Sequence, residues 1–328
     1  MAHENTPSLV SQVKAIDAGS HVAAAAFLGD SAAFALGEGE VLVAGESERR
    51  IRAHEGAILE AASDGARLFT AGDDGRVAAT EAGGSSETLA EAPGRWIDHL
   101  AIGPDGALAW SVGKTAFVRT KKGERALEVP STVGGLAFAP RGLRLAIAHY
   151  NGASLWFPNA EAKPESLSWK GSHLGVQWSP DGRFLVTTMQ EPALHGWRVA
   201  DGQHMRMTGY PARVRSMAFG PGGKWLATSG ASEIILWPFA SKDGPMGKQP
   251  SMLAPYQAKV SAVAAHPSQE VIAAGYEDGL VLLIRLADGA EILVRRPDAS
   301  PVTALAWSGN GQQLAFGTET GSAGLVAL

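Results

Sequence analysis

Short apolar runs alternate with polar turns along the whole chain, and the same order returns eight times. The runs that open each unit are VAAAAF from Val22, ILEAAS from Ile58, IDHLAI from Ile97 and VGGLAF from Val133. They continue with LGVQWS from Leu174, VRSMAF from Val214, VSAVAA from Val260 and VTALAW from Val302. A turn follows each run, then a second apolar run, as in AIGPDGALAWSV at 101–112, AFAPRGLRLAIA at 137–148 and WSPDGRFLVTT at 178–188. Apolar runs of this length, bounded by Gly, Pro, Asp and Ser, predict strands rather than helices. The turn chemistry fits a tight reversal: Pro presets φ, Asp caps the turn, and Gly takes the positive-φ position.

The opening runs start 36 to 46 residues apart. A period near 40 with four short strands per unit predicts propeller blades. The expected fold is therefore all-β, one domain over 1–328, with four-stranded antiparallel blades. Eight blades are expected; a merged or irregular repeat would leave seven. The last unit stops at SAGLVAL without a fourth strand, whereas LVSQVKAI at 9–16 precedes the first unit as a spare. Leu9–Ile16 is thus expected to pair with Ser322–Leu328, completing the last blade and removing an exposed edge. Residues 1–7 are expected to be a flexible tail. The sixth unit carries an insertion, 238–257, rich in Pro, Gly and Lys, which predicts an exposed, mobile loop.

On these residues the chain resembles the WD40-repeat β-propeller family, in a divergent, bacterial-type form. The second unit fits best, with His54-Glu55-Gly56 before its first run and LFTAGDDGRVAAT at 68–80. The resemblance implies that His54, Thr70 and Asp74 form the family's structural hydrogen-bond relay, left incomplete because Thr80 stands where the relay has Trp. It also implies structural roles for Asp278, at the turn of unit seven, and for Trp156, Trp197 and Trp237, at or near the repeat Trp position.

Composition narrows the chemistry. The chain has 28 Lys and Arg against 33 Asp and Glu, a net charge of −5. That balance argues against a nucleic-acid partner, which needs a basic surface. There is no cysteine, so disulfides and thiolate chemistry are excluded. No apolar run is long enough for a membrane helix and the first residues do not read as a signal peptide, so a cytoplasmic monomer is expected. Neither a nucleophile elbow nor a phosphate-binding Gly-rich loop appears, and no His pair has metal-ligand spacing. The histidines at His21, His54 and His173 are read as structural. No cofactor and no catalytic residue is therefore assigned.

The expected function is a non-enzymatic scaffold for protein–protein interaction, acting through one propeller face and the channel mouth. The alternative is a small-ligand- or metal-binding propeller, with or without enzymatic activity, that uses the central channel. The residues just before the first runs should ring that mouth. Among them and their neighbours, Trp96, Arg95, Arg213, Arg215 and Lys259 are candidates for contacting a protein or peptide with an acidic segment, since Trp and Arg dominate binding hot spots.

Overall fold

The computed structural model describes residues 7–45 and 47–328. Short strands assemble into seven sheets, six four-stranded and one six-stranded, each antiparallel. In chain order, the sheets begin with the strands Val22–Leu28, Ile58–Ser63, Leu100–Ile102, Gly135–Phe138, Met217–Phe219, Val260–Ala265 and Val302–Trp307. No helix among the described residues is long and apolar enough to cross a membrane.

The propeller has seven blades, not the eight expected. The units beginning at Val133 and Leu174 share the six-stranded sheet. The reason is local. Strand Glu165–Trp178 runs 14 residues without a loop, pairing through its first part with Leu145–Trp156 and through its last with Phe184–Met189. Gly134 and Gly135 lie against this strand: a Cβ on Gly134 would collide with the His173 carbonyl oxygen and one on Gly135 with that of Leu174. The spacing pattern registers a repeat but cannot register that the loop between two repeats has been straightened into strand.

Side chains from neighbouring sheets interleave into shared clusters. Phe184, Leu194 and Met205 pack with Leu226, Ile235 and Trp237 of the next sheet. Trp225 and Ile234 pack with Ile272, Leu282 and Ile284. Central strands are therefore covered on both faces, and Ser31–Leu36 has five consecutive buried residues, AAFAL. Such strands lose the alternation of a half-exposed sheet and read as continuous apolar runs.

The first strands stand side by side and are stitched by polar side chains. Ser63 Oγ donates to Phe27 O at 3.1 Å, Gln177 Nε2 to Met217 O at 3.1 Å and Ser261 Oγ to Val302 O at 2.7 Å. Thr303 Oγ1 donates to Val22 O at 2.6 Å, joining the seventh sheet to the first.

The outermost strand of the seventh sheet is Lys14–Asp17, antiparallel to Ser322–Ala327 with Lys14 opposite Leu325 and Asp17 opposite Ser322. The strand is shorter than the expected 9–16, because Val10–Gln12 form a 3-10 turn. Leu9 instead donates to Leu293 O at 2.8 Å, on the outer strand of the sixth sheet. Residues 1–6 of the expected tail lie outside the described residues; Pro7 accepts from the Leu293 amide at 2.8 Å.

The insertion at 238–257 is folded down onto the preceding sheet rather than left free. Phe239 is fully buried, edge-on to Phe184 at 5.3 Å and to Phe219 at 5.1 Å. Arg183 donates to the Phe239 and Ser241 carbonyls, Asp243 pairs with Arg198, and Met246 packs on the same cluster. Its Pro, Gly and Lys content predicted a loop; the one buried aromatic holds that loop in place.

Candidate functional site at the channel mouth

The loops that enter the first strands meet the tips of the hairpins following each second strand. Ala57 N donates to Asp73 Oδ1 at 2.7 Å, Tyr150 N to Ser131 Oγ at 2.8 Å and Glu277 N to Lys259 O at 2.9 Å. Loop and hairpin tip thus form one face, which surrounds the channel. Within it lies a recess of about 510 Å³, bordered by Glu60 and His99 on one side and Arg213, Arg215 and Ser216 on the other. Its apolar lining includes Leu136, Leu174 and Met217.

The candidate residues divide into two groups. Arg213 and Arg215 come together in the recess. Arg213 Nη1 donates to the neutral amide oxygen of Gln190 at 3.0 Å, and the exposed Arg215 side chain has no carboxylate partner among the described residues. Trp96 is 65% exposed and follows the exposed Arg95, on the segment that enters the recess at His99. Lys259 stands apart from the recess, 3.6 Å from the Glu277 carboxylate.

Sequence reasoning missed Leu59, Tyr150, Glu60 and His99. Leu59 is exposed because the ladder skips it between Ile58 and Glu60, a bulge that turns an apolar strand residue outward. Tyr150 is 57% exposed at the register shift within strand Leu145–Trp156, where Asn151 and Gly152 are both at positive φ. The Tyr-Asn-Gly triplet is the one sequence signal that could have placed an aromatic there. His99 Nδ1 lies 3.8 Å from Glu60 Oε2.

Behind the face are buried polar relays. His54 Nδ1 lies 3.0 Å from Asp74 Oδ1, and its Nε2 lies 2.8 Å from Thr70 Oγ1. Burial raises the Asp74 carboxyl, but bonds from His54 and the Glu55 and Arg76 amides outweigh that and hold it below the usual range. Thr80, at the Trp position, reaches Ser86 Oγ at 3.1 Å instead. A Tyr takes the His place further on: Tyr210 OH lies 2.7 Å from Thr228 Oγ1 and accepts from Trp237 Nε1 at 2.7 Å. Burial pushes the Tyr210 hydroxyl up to about 12, so it stays protonated. Trp156 is buried in a cluster between the third and fourth sheets, Trp197 is buried in a cluster within the six-stranded sheet, and Asp278 accepts from the Leu280 amide at its turn. Among the described residues, no three His, Asp or Glu side chains are grouped to hold a metal ion.

Residues 203–237 match the family described as WD domain, G-beta repeat, and residues 263–328 match the anaphase-promoting complex subunit 4 WD40 domain. Over those segments the chain is similar to the WD40-repeat family. It is 31% identical over 109 residues to the meiotic recombination protein rec14 of Schizosaccharomyces pombe, covering 32% of this chain and 36% of that protein. It is 25% identical over 183 residues to eukaryotic translation initiation factor 3 subunit I of Candida albicans, covering 55% of this chain and 43% of that protein. The matches thus span about two fifths of the relatives' own length. The computationally designed Ika8 protein shares the fold in its crystal structure, with a TM-score of 0.76 and 17% identity over 95% of this chain and 98% of that one. WD40 propellers typically serve as protein-interaction scaffolds and are generally non-enzymatic.

Proposed function

We propose that this WD40 propeller is a non-enzymatic scaffold that binds a protein partner through the channel-mouth face, using Trp96, Arg95, Arg213 and Arg215, with Lys259 at the periphery. One observation carries the reading: a Trp that is 65% exposed follows the exposed Arg95 on the same face as Arg213 and Arg215, which have no carboxylate partners among the described residues. Elsewhere on the surface the arginines are mostly neutralised internally, as in Arg119–Glu124, Arg183–Asp181, Arg198–Asp201 and Arg285–Asp288. Guanidinium groups left without internal carboxylates complement an acidic segment on the partner. An exposed Trp on a fixed backbone offers a large contact area with little ordering cost.

The test is quantitative cross-linking and mass spectrometry of the tagged protein in its native cell. Partners joined through the channel-mouth loops should disappear in a Trp96→Ala/Arg213→Ala variant that melts like the wild type. An unchanged set of cross-linked partners would dismiss the face as the binding surface.

A further inference from the structure

We propose that the recess takes an extended peptide segment in one polarity only, with an apolar anchor over the second, third and fourth sheets and carboxylates at the fifth. The proposal rests on the scaffold reading and names the segment that the face selects.

Three exposed apolar side chains stand on segments that lead to the lining residues of the second, third and fourth sheets. Leu59 directly precedes Glu60, and Trp96 leads the segment that reaches His99, both lining residues of the recess. Tyr150 is tethered to Ser131, three residues before the lining pair Gly134–Gly135. Across the recess stand Arg213 and Arg215. Segments that bear exposed apolar residues and a segment that bears two arginines thus contribute to one concavity of about 510 Å³, a size that encloses a few side chains.

The order of the segment follows from Glu60. Its carboxylate sits on the apolar side, 3.8 Å from His99, so an acidic residue placed there meets like charge. At the opposite wall the same residue meets two guanidinium groups, neither held by an internal carboxylate. Attraction at one end and repulsion at the other give orientation as well as affinity. Between the two sectors the lining includes Gly134, Gly135, Leu136 and Leu174, an uncharged stretch that a peptide can cross.

Random peptides displayed on phage are selected on the full-length protein, with counter-selection on the Arg213→Gln/Arg215→Gln double variant. Enriched peptides are then measured by fluorescence anisotropy at low and high salt. The expected peptides carry Asp or Glu toward one end and Leu, Phe or Trp toward the other. Their affinity should fall about tenfold on the double variant and weaken with salt. Trp96→Ala should weaken binding equally at both salt levels, and Glu60→Gln should admit peptides with the order reversed. Peptides without acidic bias, binding unmoved on the double variant, or no enrichment over it would each overturn the proposal. If binding depends on Trp96 but ignores both arginines, the face survives as the contact surface and the acidic polarity falls.

Discussion

His195 should make this protein acid-sensitive. It is fully buried, and neither ring nitrogen has a hydrogen-bond partner among the described residues. Its ring stacks on Trp169 at 4.2 Å, lies edge-on to Trp197 at 4.7 Å and stands 5.3 Å from His204. His173 sits 6.0 Å away, and Arg206 lies opposite in the ladder. Burial, with repulsion from His173, His204 and Arg206, pushes the imidazole from its ordinary 6.5 down to about 3. The unfolded chain therefore binds a proton between these values that the folded chain refuses. Stability is fully present above 6.5 and is lost as the pH falls toward 3. At pH 5 the cost relative to pH 7.5 is roughly 1.5 units at about 1.4 kcal/mol each, or about 2 kcal/mol. Urea unfolding at both pH values should show it as a midpoint shift of roughly 0.7 M, for a slope of about 3 kcal/mol/M. His195→Leu removes the titrating group. Its own packing cost is common to both pH values and cancels in the difference. The variant should lose about 2 kcal/mol less than the wild type on acidification. Equal losses in the two proteins would refute the argument.

Two further outcomes follow from the packing. Gly135→Ala forces a methyl group into the Leu174 carbonyl oxygen and should cost about 3 kcal/mol in chemical denaturation, the upper range for overpacking; a change within error would mean that the two strands do not approach so closely. Deleting residues 1–17 removes the partner of Ser322–Ala327 and the buried Ile16, so the thermal midpoint should drop and exchange of the Ser322–Ala327 amides should quicken; an unchanged melt would show that the strand contributes nothing to holding the seventh sheet.

How far the chain can be read from its letters depends on which residues the packing constrains. Seven of the eight opening runs lie wholly or partly in the first strand of a sheet and the eighth, from Leu174, in the strand Glu165–Trp178 inside the six-stranded sheet; strands covered on both faces leave the apolar letters no freedom to wander. The His54, Thr70 and Asp74 positions were readable for the same reason: buried polar groups must find partners, and their spacing is fixed by the blade. The merger of two units was not readable, since it turns on Glu165–Trp178 running straight on to pair with Leu145–Trp156 and with Phe184–Met189, which no period records. The insertion was misread because composition spoke for the loop while a single residue, Phe239, decided its place.

The face around the channel obeys a different rule. Apart from His173, which is buried and paired with Met189 in the ladder, the residues there do not follow the apolar pattern of the repeat. Position by position, the residue before each first run is His21, Ala57, Trp96, Thr132, His173, Arg213, Lys259 and Pro301, with no common chemistry. A ring under structural constraint alone would be expected to converge on one or two residue types, as the turns behind it converge on Gly. An exposed Trp at one place on this ring and arginines without carboxylate partners at another are departures that the fold does not require. Leu59 adds to them, because the bulge that exposes it takes a residue of core type and turns it outward next to Glu60, a lining residue of the recess. The information that distinguishes this propeller from any other is thus concentrated where the repeat pattern is silent, and the asymmetry between its apolar and basic sides is what a partner would read.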